Sequence, residues 1–173
     1  MNLLELKNTK QKTSAREFMC SHPQNHCRFT LAKIRLASHP DTGSDILAKL
    51  TRNSCCQVLV RVAENSNTKV DTLRKLVFHE CPDVRIAVGE NRNTPLALLL
   101  VLECDEHVDV RYSLAENHNS SPVVLTVLAE DENPYVASRA YRTLRRIGIS
   151  KDSTVFELAS RFGKSVWQCR AFS

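Results

Sequence analysis

The sequence has few of the residues that interrupt helices. Only 4 of its 173 residues are Gly and 6 are Pro, and aromatic residues make up 6%. With 42% hydrophobic residues, this composition excludes a collagen-like or a low-complexity disordered chain. The longest apolar run, at residues 96–102, is far shorter than the ~18 residues that a membrane-spanning helix needs. We therefore expect a helical globular protein that does not span a membrane.

The N-terminus also lacks the core of a signal peptide, because MNLLELKNTKQK has only a short apolar patch before a basic polar stretch. This pattern predicts a cytoplasmic protein. The chain has 7 cysteines, an odd number, so in that compartment we expect reduced thiols rather than a disulfide framework.

A repeat of 26 residues is present instead. When the chain is set in the rows 33–58, 59–84, 85–110 and 111–136, its columns agree without gaps. Because no single row can bury its own leucines, the rows must stack on one another. Three columns are apolar and a fourth holds only small residues: Leu47, Leu73, Leu99 and Leu125; Leu50, Leu76, Leu102 and Leu128; Val58, Val84, Val110 and Val136; and Ala37, Ala63, Gly89 and Ala115.

Each row predicts a short helix, a tight turn and a longer leucine-bearing helix of about ten residues. Two polar columns bracket the turn: His39, Asn65, Asn91 and Asn117; and Asp41, Asn67, Asn93 and Asn119. A hydroxyl column comes just before the longer helix, where its side chains are predicted to be N-caps. Its members are Thr42, Thr68, Thr94 and Ser120.

The predicted organisation has three parts. Residues 1–32 form an N-terminal capping segment, residues 33–136 hold four tandem repeats, and residues 137–173 form basic C-terminal capping helices and a tail. The last boundary is placed there because the 26-residue pattern ends after Val136. The helix that follows, SRAYRTLRRI, is predicted to stop at Gly148.

Two rows carry a resemblance to a known family. VRIAVGENRNTPLALLLVLECDEHVD and VRYSLAENHNSSPVVLTVLAEDENPY share VR, a small residue, an N-x-N turn, a leucine-bearing segment and an acidic turn. This pattern resembles the leucine-rich repeat variant family, a HEAT-like α-solenoid, over residues 33–136. The resemblance implies an all-α fold of about four two-helix repeats with helical caps, stacked into a right-handed superhelix. It implies that the first helix of each unit is often of 3₁₀ type and that the role is interaction.

Some relatives in that family carry an N-terminal iron–sulfur module, but only Cys20 and Cys27 precede the repeats here, and four thiolates are normally needed. The same segment offers zinc-ligand types at Cys20, His22, His26 and Cys27. Its spacing matches no common zinc motif, so we interpret it as a capping turn and keep zinc as a weak alternative. No cofactor is predicted.

Catalytic motifs are missing as well, since the sequence has no Gly-rich phosphate loop, no G-x-S-x-G and no H-E-x-x-H. We therefore predict neither an enzyme nor a small-molecule substrate. We expect the arginines of one charged column to pair with neighbouring acids such as Asp83 and Asp109. Two charged columns hold candidate binding residues. The acidic column, which we expect on a solvated ridge, is Glu64, Glu90 and Glu116, and the basic column is Arg85 and Arg111.

The charge changes sign along the chain. Residues 31–136 carry 11 basic and 15 acidic residues, whereas residues 137–173 carry 8 basic and 2 acidic ones. A stripe of arginines on one face of the basic helix could contact phosphates or an acidic protein. The arginines of this helix are Arg139, Arg142, Arg145 and Arg146, of which the first, second and fourth share the face.

These features predict a non-enzymatic binding scaffold that mediates protein–protein interaction through a repeat surface and the basic C-terminal cap. The alternative is a nucleic-acid-binding HEAT-like protein, related to DNA repair, that contacts phosphates through the basic helix. The repeat body is acidic and its large aromatic residues are only Phe78, Tyr112 and Tyr135, which favours the protein partner.

Overall fold

A computed structural model describes residues 26–52 and 54–149, and all regular secondary structure in those residues is α-helical. The predicted helices within residues 1–25 and 150–173 lie outside the described residues. None of the described helices is long and apolar enough to cross a membrane. The helices are α1 (His26–Ser38), α2 (Ser44–Leu50), α3 (Cys56–Glu64), α4 (Val70–Leu76), α5 (Pro82–Glu90), α6 (Leu96–Glu103), α7 (Val108–Glu116), α8 (Pro122–Leu128) and α9 (Pro134–Arg146).

The helices follow the period of the sequence. From α3 to α9, each odd-numbered helix begins 26 residues after the one before it, and the same spacing relates the even-numbered helices from α2 to α8. The odd-numbered helices form a first layer in which each helix packs on the next, and the even-numbered helices form a second layer beside it. This packing is that of a helical repeat array, as in an α-solenoid. Both helices of each pair are α-helical, so the 3₁₀ type implied by the resemblance is not found in the described pairs.

The core consists of the columns that the repeat predicted. The valines at 58, 84, 110 and 136 are fully buried, and so are the alanines of the small column. Gly89 takes the place of alanine in one row, because a Cβ atom there would lie 2.9 Å from Leu114 Cδ2. The second and third rows have the smaller Val62 and Val88 at the position of Leu114, which leaves room for the alanine of the row before each. The small column is therefore fitted row by row to the side chain that packs against it.

The predicted helix lengths and N-caps were wrong. The second-layer helices span only 7 or 8 residues, whereas α3, α5 and α7 span 9. The hydroxyl column belongs to the turn, and each hydroxyl donates a hydrogen bond back to the carbonyl six residues earlier, as Thr94 Oγ1 does to Val88 O at 2.6 Å. These hydroxyls therefore satisfy carbonyls at the end of the first helix. The second-layer helices have other N-cap residues, and none of these makes a side-chain cap bond. They are Gly43, Lys69, Pro95 and Ser121.

Asparagines join each repeat to the one before it. Asn65 Nδ2 donates to Ala37 O at 2.7 Å and to His39 O at 2.9 Å, both at the C-terminal end of α1. Asn91 repeats these bonds to Ala63 O and Asn65 O, and Asn117 Nδ2 reaches Gly89 O. We call Asn65, Asn91 and Asn117 the asparagine ladder. It satisfies carbonyls that have no partner within their own helix, so it holds adjacent first-layer helices in register.

The last described helix ends as the sequence predicts. Gly148 has a φ of 81°, a left-handed conformation that favours glycine. Ile149 N donates to Leu144 O at 2.9 Å, which closes the C-terminus of α9 in a Schellman-type turn. Thr143 occupies the ladder position in this helix, and its Oγ1 donates to Ala115 O at 2.6 Å.

Two leucines of α6 test the placement of the core. Leu102 is 1% exposed and Leu96 is 43% exposed. We expect Leu102→Ala to lower the free energy of unfolding by about 2–5 kcal/mol, because it leaves a cavity between the layers. Leu96→Ala is the matched control and should change it by less than about 1 kcal/mol. Urea unfolding followed by circular dichroism measures both, and equal losses would contradict the assignment of the buried face.

Candidate interaction surface

The exposed side of the first layer presents one acid in each repeat. Glu64, Glu90 and Glu116 are the last residues of α3, α5 and α7, and all three are exposed. Each has a polar neighbour: Arg61 Nη1 lies 2.7 Å from Glu64 Oε2, Ser113 Oγ donates to Glu90 Oε1 at 3.0 Å, and Arg139 pairs with Glu116. We call this exposed side of α3, α5 and α7 the first-layer face.

A shallow groove of ≈ 380 Å³ lies on this face between α5 and α7. Ile86 and Tyr112 occupy the same column of successive repeats and give the groove an apolar strip. Carboxylates flank this strip. The acids that line the groove are Glu90, Asp109 and Glu116. The groove therefore combines a partly exposed aromatic ring with negative charge, an arrangement suited to a cationic side chain.

The protein's own Arg139 already uses one end of this groove. Its guanidinium carbon lies 5.9 Å from the centroid of the Tyr112 ring, within the range of a cation–π contact. The same guanidinium pairs with Glu116 through Nη2. Tyr112 remains 36% exposed beside this contact. The groove thus shows how a guanidinium is held between an aromatic ring and a carboxylate.

The asparagine ladder makes fewer and longer hydrogen bonds beside the groove. Asn117 Nδ2 is 3.4 Å from Gly89 O, and within the described residues it makes no second carbonyl contact of the kind that Asn65 and Asn91 make. Asn119 differs from Asn67 and Asn93 in the same way, since those two donate their side-chain amides to carbonyls of the preceding turn. Asn117 and Asn119 both line the groove. They therefore offer amide N–H groups to the groove that the earlier repeats use internally.

Arg85 and Arg111, two candidate binding residues, lie inside the protein. Only 8% of Arg85 and 4% of Arg111 is exposed. Their acidic partners are Asp105 and Asp131, not the expected Asp83 and Asp109. The guanidinium of each arginine is therefore used within the array rather than presented on its surface.

Each of these arginines joins three turns of the chain. Arg85 donates to Asp105 at 2.6 and 2.8 Å and to His79 O at 2.7 Å. Arg111 donates to Asp131 at 2.8 and 3.1 Å and to Asp105 O at 2.8 Å. Hydrogen bonds to these carboxylates raise the pKa of both arginines. Since the pairs share Asp105, they form a continuous polar connection between adjacent repeats.

The sequence reasoning missed this pairing because the partners are 20 residues apart, at opposite ends of the same repeat. The signal was present in the columns, since Arg85 and Arg111 recur at the 26-residue period and so do Asp105 and Asp131. A basic column and an acidic column that occur together in the same repeats would have indicated that their members pair.

The arginines of α9 divide into two groups. Arg139 is turned toward α7, as described above. Arg146 Nη1 lies 3.0 Å from His118 Nε2, which accepts the bond because a guanidinium only donates. Arg142 and Arg145 are exposed and have no ion pair among the described residues. The predicted stripe of Arg139, Arg142 and Arg146 is therefore partly engaged in contacts within the protein.

The candidate zinc ligands cannot be placed. Cys20 and His22 lie outside the described residues, and His26 and Cys27 begin α1 without described side chains. In the part of the chain that the structure describes, no group of three or more His, Cys, Asp or Glu side chains could hold a metal ion.

Comparison of the chain with protein-family models, with curated proteins and with solved structures gave no match. Function is therefore inferred from the arrangement of the residues themselves.

The buried ion pairs give a second stability test. Arg111→Met should lower the free energy of unfolding by about 3–5 kcal/mol, because it leaves the Asp131 carboxylate buried without its partner. Arg74→Met removes an exposed arginine that pairs with Asp71, and it should cost less than about 1 kcal/mol. Chemical denaturation compares the two variants. A loss at Arg111 no greater than that at Arg74 would mean that the buried bonds of Arg111 do not stabilise the array.

Proposed function

We propose that the protein is a non-enzymatic binding scaffold that mediates protein–protein interaction through its repeat surface and its basic C-terminal cap. We include in this proposal membership of the leucine-rich repeat variant family, a right-handed superhelix and a cytoplasmic location. The observation that carries the proposal is the first-layer face, where an exposed acid recurs at the same position of three successive helices.

The internal polar residues support this assignment by contrast. The asparagine ladder, the hydroxyl column and the buried arginines all satisfy main-chain or charged groups inside the array. The glutamates of the first-layer face differ because they are exposed, and each has one polar side-chain neighbour on this surface. Each ends a helix, where the negative end of the helix dipole disfavours a carboxylate by a few tenths of a kcal/mol or more. Their recurrence is better explained by a partner than by the stability of the helices.

The basic cap extends the same face with the opposite charge. Arg142 occupies in α9 the position that Glu64, Glu90 and Glu116 occupy in the preceding first-layer helices. A partner that follows the face would therefore meet acidic side chains on three helices and then a cation. Such a change of sign fixes the direction in which a partner binds, because reversed binding would bring like charges together.

The alternative function is nucleic-acid binding by a HEAT-like protein, and the observation that favours it is the exposure of Arg142 and Arg145 on α9. Phosphate contacts there would be sequence-independent and salt-dependent. The acids of the first-layer face would repel a longer nucleic acid, so we rank this function second.

A capture experiment tests the favoured function. The full chain is immobilised beside the variants Glu64→Lys/Glu90→Lys, on the first-layer face, and Asp45→Lys/Asp71→Lys, on the second layer. We expect a specific set of lysate proteins to bind the wild type and the second-layer variant but not the first-layer variant. Equal loss from both variants, or no specific binding to the wild type, would contradict the proposal.

A salt titration separates the two functions. Fluorescence anisotropy with a labelled DNA duplex should show no binding that depends on Arg142 and Arg145, so Arg142→Ala/Arg145→Ala should behave like the control Lys49→Ala/Lys75→Ala. A steep salt dependence that only the arginine variant removes would instead support nucleic-acid binding.

A further inference from the structure

We propose that the groove between α5 and α7 binds an extended, arginine-containing segment of a partner protein. The guanidinium would lie against Tyr112 and the acids of the groove, and the main chain of the segment would accept hydrogen bonds from Asn117 and Asn119. This inference rests on the proposed function, since it names the chemistry of the partner.

Charge identifies the side chain. Glu90 is exposed with a single hydroxyl donor. The Asp109 side chain is 72% exposed, with His107 Nδ1 3.6 Å from its Oδ2. The two carboxylates line the same groove and would attract a cation from the partner. Arginine fits better than lysine because its planar group stacks on an aromatic ring and pairs with a carboxylate through two N–H groups.

Within the protein, the guanidinium of Arg139 is already bound in the way that we propose for the partner's arginine. This contact shows that Tyr112 and a carboxylate of the groove hold a guanidinium at the same time. Its partner Glu116 lies at one end of the groove, while Glu90 and Asp109 remain available to a second guanidinium. The partner's arginine would thus use the chemistry that the chain already applies to its own.

The amides identify the conformation of the segment. Asn117 and Asn119 line the groove. Asn117 Nδ2 uses one N–H for Gly89 O and has a second one, and the Asn119 amide donates to no carbonyl among the described residues. A helical ligand has its carbonyls bonded internally, whereas an extended segment leaves them free to accept. Free donors beside an apolar strip therefore favour an extended peptide over a helix.

The acids also exclude a polyanion from this site. A nucleic acid placed in the groove would bring phosphates against Glu90, Asp109 and Glu116, and like charges across an interface are unfavourable. The partner in this groove is therefore a protein segment.

The test uses the full chain and a fluorescein-labelled nonapeptide, (Arg-Gly-Ser)₃, measured by fluorescence anisotropy. Peptides with Lys or Glu in place of Arg are the ligand controls. We expect Glu90→Gln/Asp109→Asn to weaken binding of the arginine peptide about tenfold or more. Asp45→Asn/Asp71→Asn removes the same charge from the second layer and should leave the affinity unchanged.

Two further variants separate the parts of the site. Tyr112→Leu should weaken the arginine peptide more than the lysine peptide, because the ring favours a guanidinium. Asn119→Ala should weaken both peptides equally and leave the salt dependence unchanged, because it removes a neutral donor. Circular dichroism of each variant establishes that it is folded.

Several results would overturn the inference. We expect no binding of the glutamate peptide. If it bound as tightly as the arginine peptide, charge would not select the ligand. Equal weakening by the groove and second-layer variants would place the site elsewhere. A labelled oligonucleotide that bound the wild-type chain and was displaced by the arginine peptide would place nucleic acid on this face. If the arginine peptide did not bind while the lysate proteins still depended on Glu64 and Glu90, the proposed function would stand and this inference would fall.

Discussion

The carbonyl groups at the C-terminal end of each first-layer helix are the constraint on which the rest of the structure depends. A nine-residue helix leaves few backbone N–H groups for these carbonyls, since the C-cap amide reaches only one of them, such as Val62 O or Val88 O. Their burial between repeats would be costly without further donors. The asparagine ladder and the hydroxyl column supply these donors, the first from the next repeat and the second from the same one. The spacing of one repeat is therefore fixed by polar bonds as well as by the leucine and valine columns.

This constraint separates the polar residues into two groups. Residues between the repeats are bonded to main-chain groups or to each other, as Arg111 is to Asp131. The glutamates of the first-layer face are exposed and have only one polar side-chain neighbour each. The groove between α5 and α7 lies where a repeat departs from its neighbours: Tyr112 replaces a smaller apolar residue, and the bond of Asn117 is long. The recognition surface that we propose is built from these departures.

The sequence predicted the helical array, its period and its core because the buried apolar residues recur every 26 positions. That pattern is visible without knowledge of the contacts. It did not predict which atoms meet. Thr94 bonds backward to Val88 instead of capping the helix that follows, and Arg85 reaches Asp105 at the far end of its own repeat. The acid column was visible in the sequence, but the approach of Arg139 to Tyr112 was not, since it depends on two residues that occur once each at their positions near the C-terminal end of the array. The recurring columns thus predict the helical array, whereas contacts between residues that occur in only one repeat could not be predicted from the sequence.

The asparagine ladder is tested most directly by comparing Asn91→Ala with Asn119→Ala in urea unfolding. Asn91 is buried and donates to two carbonyls of the preceding repeat, while the Asn119 side chain makes no such bond among the described residues. Our account predicts that Asn91→Ala lowers the free energy of unfolding by about 1–3 kcal/mol, because buried carbonyls lose their donor. Asn119→Ala should change it by less than about 0.5 kcal/mol. Equal effects at the two positions would contradict the claim that the ladder holds the repeats together.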